Sequence, residues 1–284
     1  MDYKIQDNQD IQKYSFTPDS LFRFKCLFKQ ERRDFNKIMN EYNSNKWDEV
    51  YENYKKNKIT NEKDLLNCCP YLYKRIIDFT NLKGEIYKPN ENDIKCYISM
   101  IKNYIINEVD KNNTNTIIEL GAGQCFYSKL IDLHYKGSKE ILSYDICSKT
   151  KDIYKLLFSK EHDTYFNYYD EESYKFLDKI KKKCIIFSNQ SIEQINETNT
   201  FINSLKKYKD KIECIINFEC LYELKDESNP IFFLQKKYLE HCDYNKDFYN
   251  NLKNNENIEI LDLQNNIISS HLLYNKSIIK WKFK

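Results

Sequence analysis

The 284-residue chain carries 45 basic and 43 acidic side chains, a formal net charge of +2, so no global field draws it to nucleic acid or to an anionic membrane surface. With 41% hydrophobic residues it can bury a sizeable core, and with only four glycines and four prolines it is neither collagen-like nor a Gly/Pro-rich disordered chain. Ten cysteines without a C-x-x-C spacing are too sparse for a disulfide scaffold and read as small buried hydrophobes of a reducing compartment.

Met1 to Asp10 is polar and lacks the apolar stretch of a signal peptide, and no run approaches the ~18 apolar residues of a membrane span, so a cytoplasmic chain without membrane attachment is expected. Between residues 20 and 110 apolar positions recur at helical spacing: Phe35, Ile38, Met39 and Tyr42, then Trp47, Val50, Tyr51 and Tyr54. The clearest helix begins near Asp93, where Ile94, Tyr97, Ile98, Ile101, Tyr104 and Ile105 form one stripe. After the polar break Lys111 to Asn115 the pattern changes to short runs, apolar on both faces: Thr116 to Leu120, Ile141 to Tyr144, Cys184 to Phe187 and Cys214 to Phe218. With helical segments between them, such runs predict buried parallel strands in βαβ units of a doubly wound α/β sheet. Ile258 to Leu263 and Ile278 to Phe283 follow without a convincing helix between them and predict an antiparallel pair at the sheet edge. The chain thus divides into a helical N-terminal cap, residues 1–110, and an α/β domain, residues 111–284.

The most informative segment is Glu119-Leu120-Gly121-Ala122-Gly123, which ends the first α/β strand and leads into a helical stripe through Phe126, Leu130 and Leu133. A Gly-x-Gly turn between strand and helix lets backbone approach a ligand closely and presents N–H groups at the helix start. A dinucleotide fingerprint needs a third glycine, and Phe126 stands at that position, which disfavours a pyrophosphate ligand.

Glu119-Leu120-Gly121-Ala122-Gly123 resembles the first motif of class I S-adenosylmethionine-dependent methyltransferases. The resemblance implies a mostly parallel, seven-stranded Rossmann-like sheet, with its third strand around Thr164 to Tyr168, and S-adenosylmethionine as cofactor. It assigns Glu119 to the cofactor's cationic amino group, Gly121, Ala122 and Gly123 to the close backbone approach, and Asp145, at the end of the next strand, to the ribose hydroxyls. Asp170 is a candidate for the adenine amino group or, equally, a helix cap. Ser188, Asn189 and Gln190 correspond to the fourth motif and are expected to line the cofactor.

The same segment lacks both the Pro-Pro-aromatic and the Pro-Cys patterns of base-methylating enzymes, and no aromatic-basic stripe is present to grip a strand, so no nucleic-acid partner is expected. The acceptor is read as a small molecule or a glycan, methylated on oxygen or nitrogen. Candidate bases are His241, then Glu219 and Glu193. Glu219 followed by Glu223 leaves open a cationic side chain, and hence a protein or peptide N-methyltransferase. The lack of a decisive catalytic residue leaves open a silent cofactor-binding subunit. No metal is expected, because Ser188-Asn189 and Asn217-Phe218-Glu219 stand where divalent-dependent members carry clustered Asp and Asn.

Overall fold

The computed structural model describes residues 35–44, 46–69, 80–82, 85–87 and 90–284. Helices α1 (Phe35–Asn43), α2 (Asp48–Lys56) and α3 (Glu62–Cys68) realise the first helical stripes. The parts of the helical prediction over residues 20–34 and 70–79 lie outside the described residues. A short hairpin, β1 (Thr80–Leu82) and β2 (Glu85–Tyr87), precedes the long helix α4 (Glu91–Lys111). Asn90 starts α4 with a capping box: its side chain accepts from the Asp93 amide while the Asp93 carboxylate accepts from the Asn90 amide at 2.8 Å.

The α/β part runs β3 (Thr116–Leu120), α5 (Phe126–Tyr135), β4 (Glu140–Tyr144), α6 (Lys149–Phe158), β5 (Cys184–Asn189), α7 (Asn199–Lys206) and β6 (Ile212–Glu219). It closes with α8 (Pro230–His241), α9 (Phe248–Lys253), β7 (Ile258–His271) and β8 (Tyr274–Phe283). These strands form one six-stranded sheet in the order β4-β3-β5-β6-β8-β7. β4, β3, β5 and β6 are parallel, whereas β8 is antiparallel to both β6 and β7. Period-two alternation feeds two cores. Ile117, Ile185, Phe187 and Ile216 pack on the α2–α6 side, and Ile118, Ile186, Ile215 and Ile279 pack with α7 and α9 residues on the other. α4 shares the first core through Tyr97, Ile98, Ile101 and Ile105.

The expected seventh strand is corrected to a single parallel bridge between Asp145 and Tyr165. Local side-chain bonds cut the ladder short at both ends. The Asp163 carboxylate accepts from the Tyr165 amide at 3.3 Å and Asn167 Oδ1 from the Tyr169 amide at 3.0 Å, turning the backbone away from β4.

The register brings the carboxyl ends of four strands to one edge: Leu120 lies opposite both Tyr144 and Ser188, and Ser188 opposite Asn217. Ser277 of β8 pairs with Glu219, the last residue of β6, so the hairpin from Asn265 to Lys276 rises past that edge. At its tip Asn81 Nδ2 and Gln235 Nε2 both donate to the Leu272 carbonyl, at 2.7 and 3.0 Å, and Asn275 Nδ2 donates to Asn81 Oδ1 at 2.6 Å. None of the described helices is long and apolar enough to cross a membrane.

Candidate active site

The chain leaves β3 through a turn that only a left-handed backbone can make, with φ of 71° at Gly121, 50° at Gly123 and 55° at Cys125. Gly121 and Ala122 both donate their amides to the Tyr144 carbonyl, at 2.8 and 3.0 Å, clamping the turn to the end of β4. Neither glycine has room for a side chain. A Cβ on Gly121 would stand 2.3 Å from the Ser191 Cβ, and one on Gly123 would stand 2.9 Å from the Trp47 indole.

Two buried carboxyls flank the turn. Glu119 accepts from the Ser128 amide at 3.0 Å and the Ser128 hydroxyl at 2.5 Å, and Ser128 in turn accepts from the Ser143 hydroxyl at 2.8 Å. Burial still dominates those bonds and pushes the Glu119 pKa up to about 8. Asp145 accepts from the Gly123 amide at 2.8 Å through one oxygen and from the Cys147 amide at 2.7 Å through the other. Burial raises it too, against the pull of those amides and of Lys46.

Around the same turn three buried polar atoms have no partner among the described residues: the Trp47 indole N–H, the Gln124 side-chain oxygen and the Tyr127 hydroxyl. Native interiors leave few such groups without a reason. A zwitterionic, ribose-bearing cofactor fits this donor set: unpaired polar atoms to receive it, a raised carboxyl for a cation, and a second carboxyl for a diol.

Trp47 reaches the turn because α1 and α2 lie against it. The Cys147 thiol donates to the Tyr42 carbonyl at 2.9 Å, the Ser148 amide to Asn43 Oδ1 at 2.9 Å, and the Tyr42 hydroxyl to Gln194 Oε1 at 2.5 Å. Gln124, Tyr127 and Ser128 were not among the candidate site residues read from sequence, and Trp47 was read there only as a position of a helical stripe. For Trp47 the one signal is the rarity of tryptophan, which occurs twice in the chain.

At the ends of β5 and β6 a second constellation forms. Glu219 accepts from the Ser188 hydroxyl at 2.6 Å and from the Ser191 amide at 3.0 Å. Glu193 is hydrogen-bonded to Glu219 and accepts from the Cys220 amide at 3.1 Å. Burial and the Glu219 charge push Glu193 well above the carboxylate range, and burial raises Glu219 as well, against the bonds it accepts from Ser188 and the neighbouring amides. Ser188 also accepts from Asn217 Nδ2 at 2.9 Å, and Asn189 Oδ1 accepts from Lys276 Nζ at 2.7 Å. Gln190 turns the chain at a φ of 58° and its carbonyl accepts from the Gln194 amide group at 2.9 Å.

The remaining candidates stand apart. Asp170 caps the 3-10 segment Glu171–Lys179, accepting from the Glu172 amide at 3.0 Å and the Ser173 hydroxyl at 3.2 Å. His241 is the buried last residue of α8, whose Leu239 packs on Cys220, the residue after Glu219. Glu223 turns to the start of α9, where it accepts from the Asn250 amide at 3.0 Å. Among the described residues no group of three or more His, Cys, Asp or Glu is placed to hold a metal.

A glycine turn at the point where strand order reverses between β4-β3 and β3-β5, with an antiparallel last pair, is the fold of class I S-adenosylmethionine-dependent methyltransferases. The chain is similar in this respect to magnesium protoporphyrin IX methyltransferase from Synechocystis, solved with bound S-adenosylhomocysteine: TM-score 0.50, 13% identity, 88% of this chain and 100% of that one. A Podospora anserina methyltransferase and the plantazolicin methyltransferase, each at 13% identity, give TM-scores of 0.46 and 0.44 over 85% and 88% of this chain and 97% and 99% of theirs. No family model and no curated protein matches the sequence.

Proposed function

We propose that the chain is an S-adenosylmethionine-dependent methyltransferase acting on oxygen or nitrogen of a small-molecule or glycan-like acceptor, with no nucleic-acid partner. The observation that carries this reading is the glycine turn between buried Glu119 and Asp145 with three unpaired polar atoms around it. On this reading Glu119 holds the cofactor's amino group, Asp145 its ribose hydroxyls, and Ser188 to Gln190 line its methyl-bearing side. Asp170 is committed to its cap and is left with a secondary part at most. The bound cofactor supplies a methyl group on a cationic sulfur, which becomes a neutral thioether once the methyl has left.

The chain's own work is to hold the acceptor in line and to take its proton. Glu219 and Glu193 lie at and just beyond the carboxyl ends of the strands, where ligands of open α/β sheets bind, and burial raises both carboxyls, which suits either to take a proton from an acceptor hydroxyl or amine. His241, the last residue of α8, remains the alternative base. Of the two carboxylates proposed for a cationic peptide side chain, Glu223 is bonded to Asn250, which weighs towards the small acceptor. The α1–α3 segment serves as the lid of the cofactor site, within an N-terminal region that ends near residue 110.

Calorimetry of the purified chain with S-adenosylmethionine, S-adenosylhomocysteine and NAD tests the reading. Binding of the first two alone is expected; binding of NAD, or of none, would reject it. His241→Ala and Glu219→Gln, assayed against an acceptor panel, then separate the two bases by which one loses turnover at unchanged cofactor affinity.

A further inference from the structure

Trp47 stands on the glycine turn in an unusual way. Its Cζ2, Cε2 and Nε1 atoms lie 2.9, 3.3 and 3.6 Å from where a Gly123 Cβ would be, so the side of the indole that carries the N–H is turned to the glycine turn, with the benzo carbon Cζ2 nearest. That N–H is buried and has no hydrogen-bond partner among the described residues. The other tryptophan, Trp281, shows the usual arrangement, its N–H donating to Asn217 Oδ1 at 2.7 Å in the core. An indole N–H that has left water ordinarily finds an acceptor, and one without it carries the full desolvation penalty. The acceptors of the neighbouring turn are bonded elsewhere: the Gly123 carbonyl accepts from the Thr150 hydroxyl at 2.7 Å and Asp145 from two amides, and neither is bonded to the indole.

The position of Trp47 is itself enforced. Tyr42 and Asn43 on one side and Asp48, 3.3 Å from Lys149, on the other tie the segment to the loop after β4 and the first residue of α6. Tyr42 stacks obliquely on the indole with ring centroids 6.4 Å apart. The segment therefore holds a pre-set hydrogen-bond donor at the mouth of the site.

We propose that Trp47 is a cofactor-binding residue whose indole N–H donates to an oxygen or ring nitrogen of the bound cofactor, so that the α1–α2 segment is fastened by the ligand it covers. This rests on the reading of the site given above. It differs from simple packing in requiring the N–H itself and not merely the ring.

With the full chain labelled with nitrogen-15, the two indole N–H resonances are assigned by Trp47→Phe, which keeps an aromatic ring and removes the donor. Saturating S-adenosylhomocysteine is expected to move the Trp47 resonance and leave that of Trp281 in place. Trp47→Phe is expected to weaken S-adenosylhomocysteine binding about fivefold by calorimetry, the effect of one lost hydrogen bond, at an unchanged circular dichroism spectrum. Adenosine as a second probe locates the acceptor: a shift with adenosine places it on the nucleoside, and a shift with S-adenosylhomocysteine alone places it on the amino-acid carboxylate. If S-adenosylhomocysteine binds but the Trp47 resonance stays and Trp47→Phe binds as tightly, Trp47 is packing only and the proposal falls while the cofactor assignment stands. If S-adenosylhomocysteine does not bind at all, both fall.

Discussion

Glu119 couples cofactor recognition to pH through one proton. With its pKa near 8 in the ligand-free chain, the carboxyl is mostly neutral at pH 7, whereas a cationic amino group is held by the carboxylate. Binding then releases a proton, and affinity for S-adenosylhomocysteine should rise by up to about tenfold per pH unit below pH 8 and level off above it. Calorimetry at pH 6, 7 and 8 reads this directly, and Glu119→Gln should bind weakly with no pH dependence; a flat profile for the parent chain would place the amino group elsewhere. Gly121 is a second residue-scale test. Gly121→Ala puts a Cβ into Ser191 on a backbone with φ of 71°, and should destabilise the chain by about 2 kcal/mol or more in urea. Ser191→Gly in addition removes the collision and leaves the left-handed strain, so recovery should be partial. These residues were legible in sequence because the chemistry of the ligand constrains their spacing along a few residues. Trp47, Ser128 and the pairing of Glu193 with Glu219 were not, because each depends on elements distant in the chain being brought into contact.

At the scale of elements, strands apolar on both faces announced themselves, and β3 begins and ends where its residues predict. The third strand did not survive, because Asp163 and Asn167 are ordinary polar residues in so Asn-rich a chain until their side chains are seen bonding to the backbone two residues on. The final pair was expected, but not its reach: β7 and β8 extend to His271 and from Tyr274, carrying the hairpin past the end of β6. That reach is stabilised by an amide network whose orientation is fixed by a backbone carbonyl. The Leu272 carbonyl accepts from both Asn81 and Gln235, so Asn81 must turn its oxygen to Asn275. Asn81→Ala removes one donor to Leu272 and the acceptor of a wholly buried Asn275, and should lower stability by roughly 1 to 3 kcal/mol in urea unfolding. An effect within experimental error would mean that the hairpin tip is held by its apolar contacts, Leu272 and Leu273 with α8, and not by the amides.

For the whole molecule, the buried carboxyls set how stability follows pH. Glu119, Glu193 and Glu219 are all raised in the folded chain by burial, whereas in the unfolded chain they titrate near 4.5. Between that value and the folded one the native state binds more protons than the unfolded state, so the free energy of unfolding falls as pH rises. Glu119 spreads this loss over the window from about pH 4.5 to about 8, and its share is complete once pH exceeds its folded value. This runs opposite to the usual paired carboxylate, whose contribution is lost on acidification. With a net charge of only +2, whole-chain repulsion is too small to mask the trend near neutrality. The melting temperature of the ligand-free chain should therefore decline from pH 5.5 to pH 8, and Glu119→Gln, which cannot ionise, should decline less over the same interval. A melting temperature that climbs across that interval would show that the unfolding chain gains nothing by releasing these carboxyls to water, and that Glu119 is already ionised in the native fold.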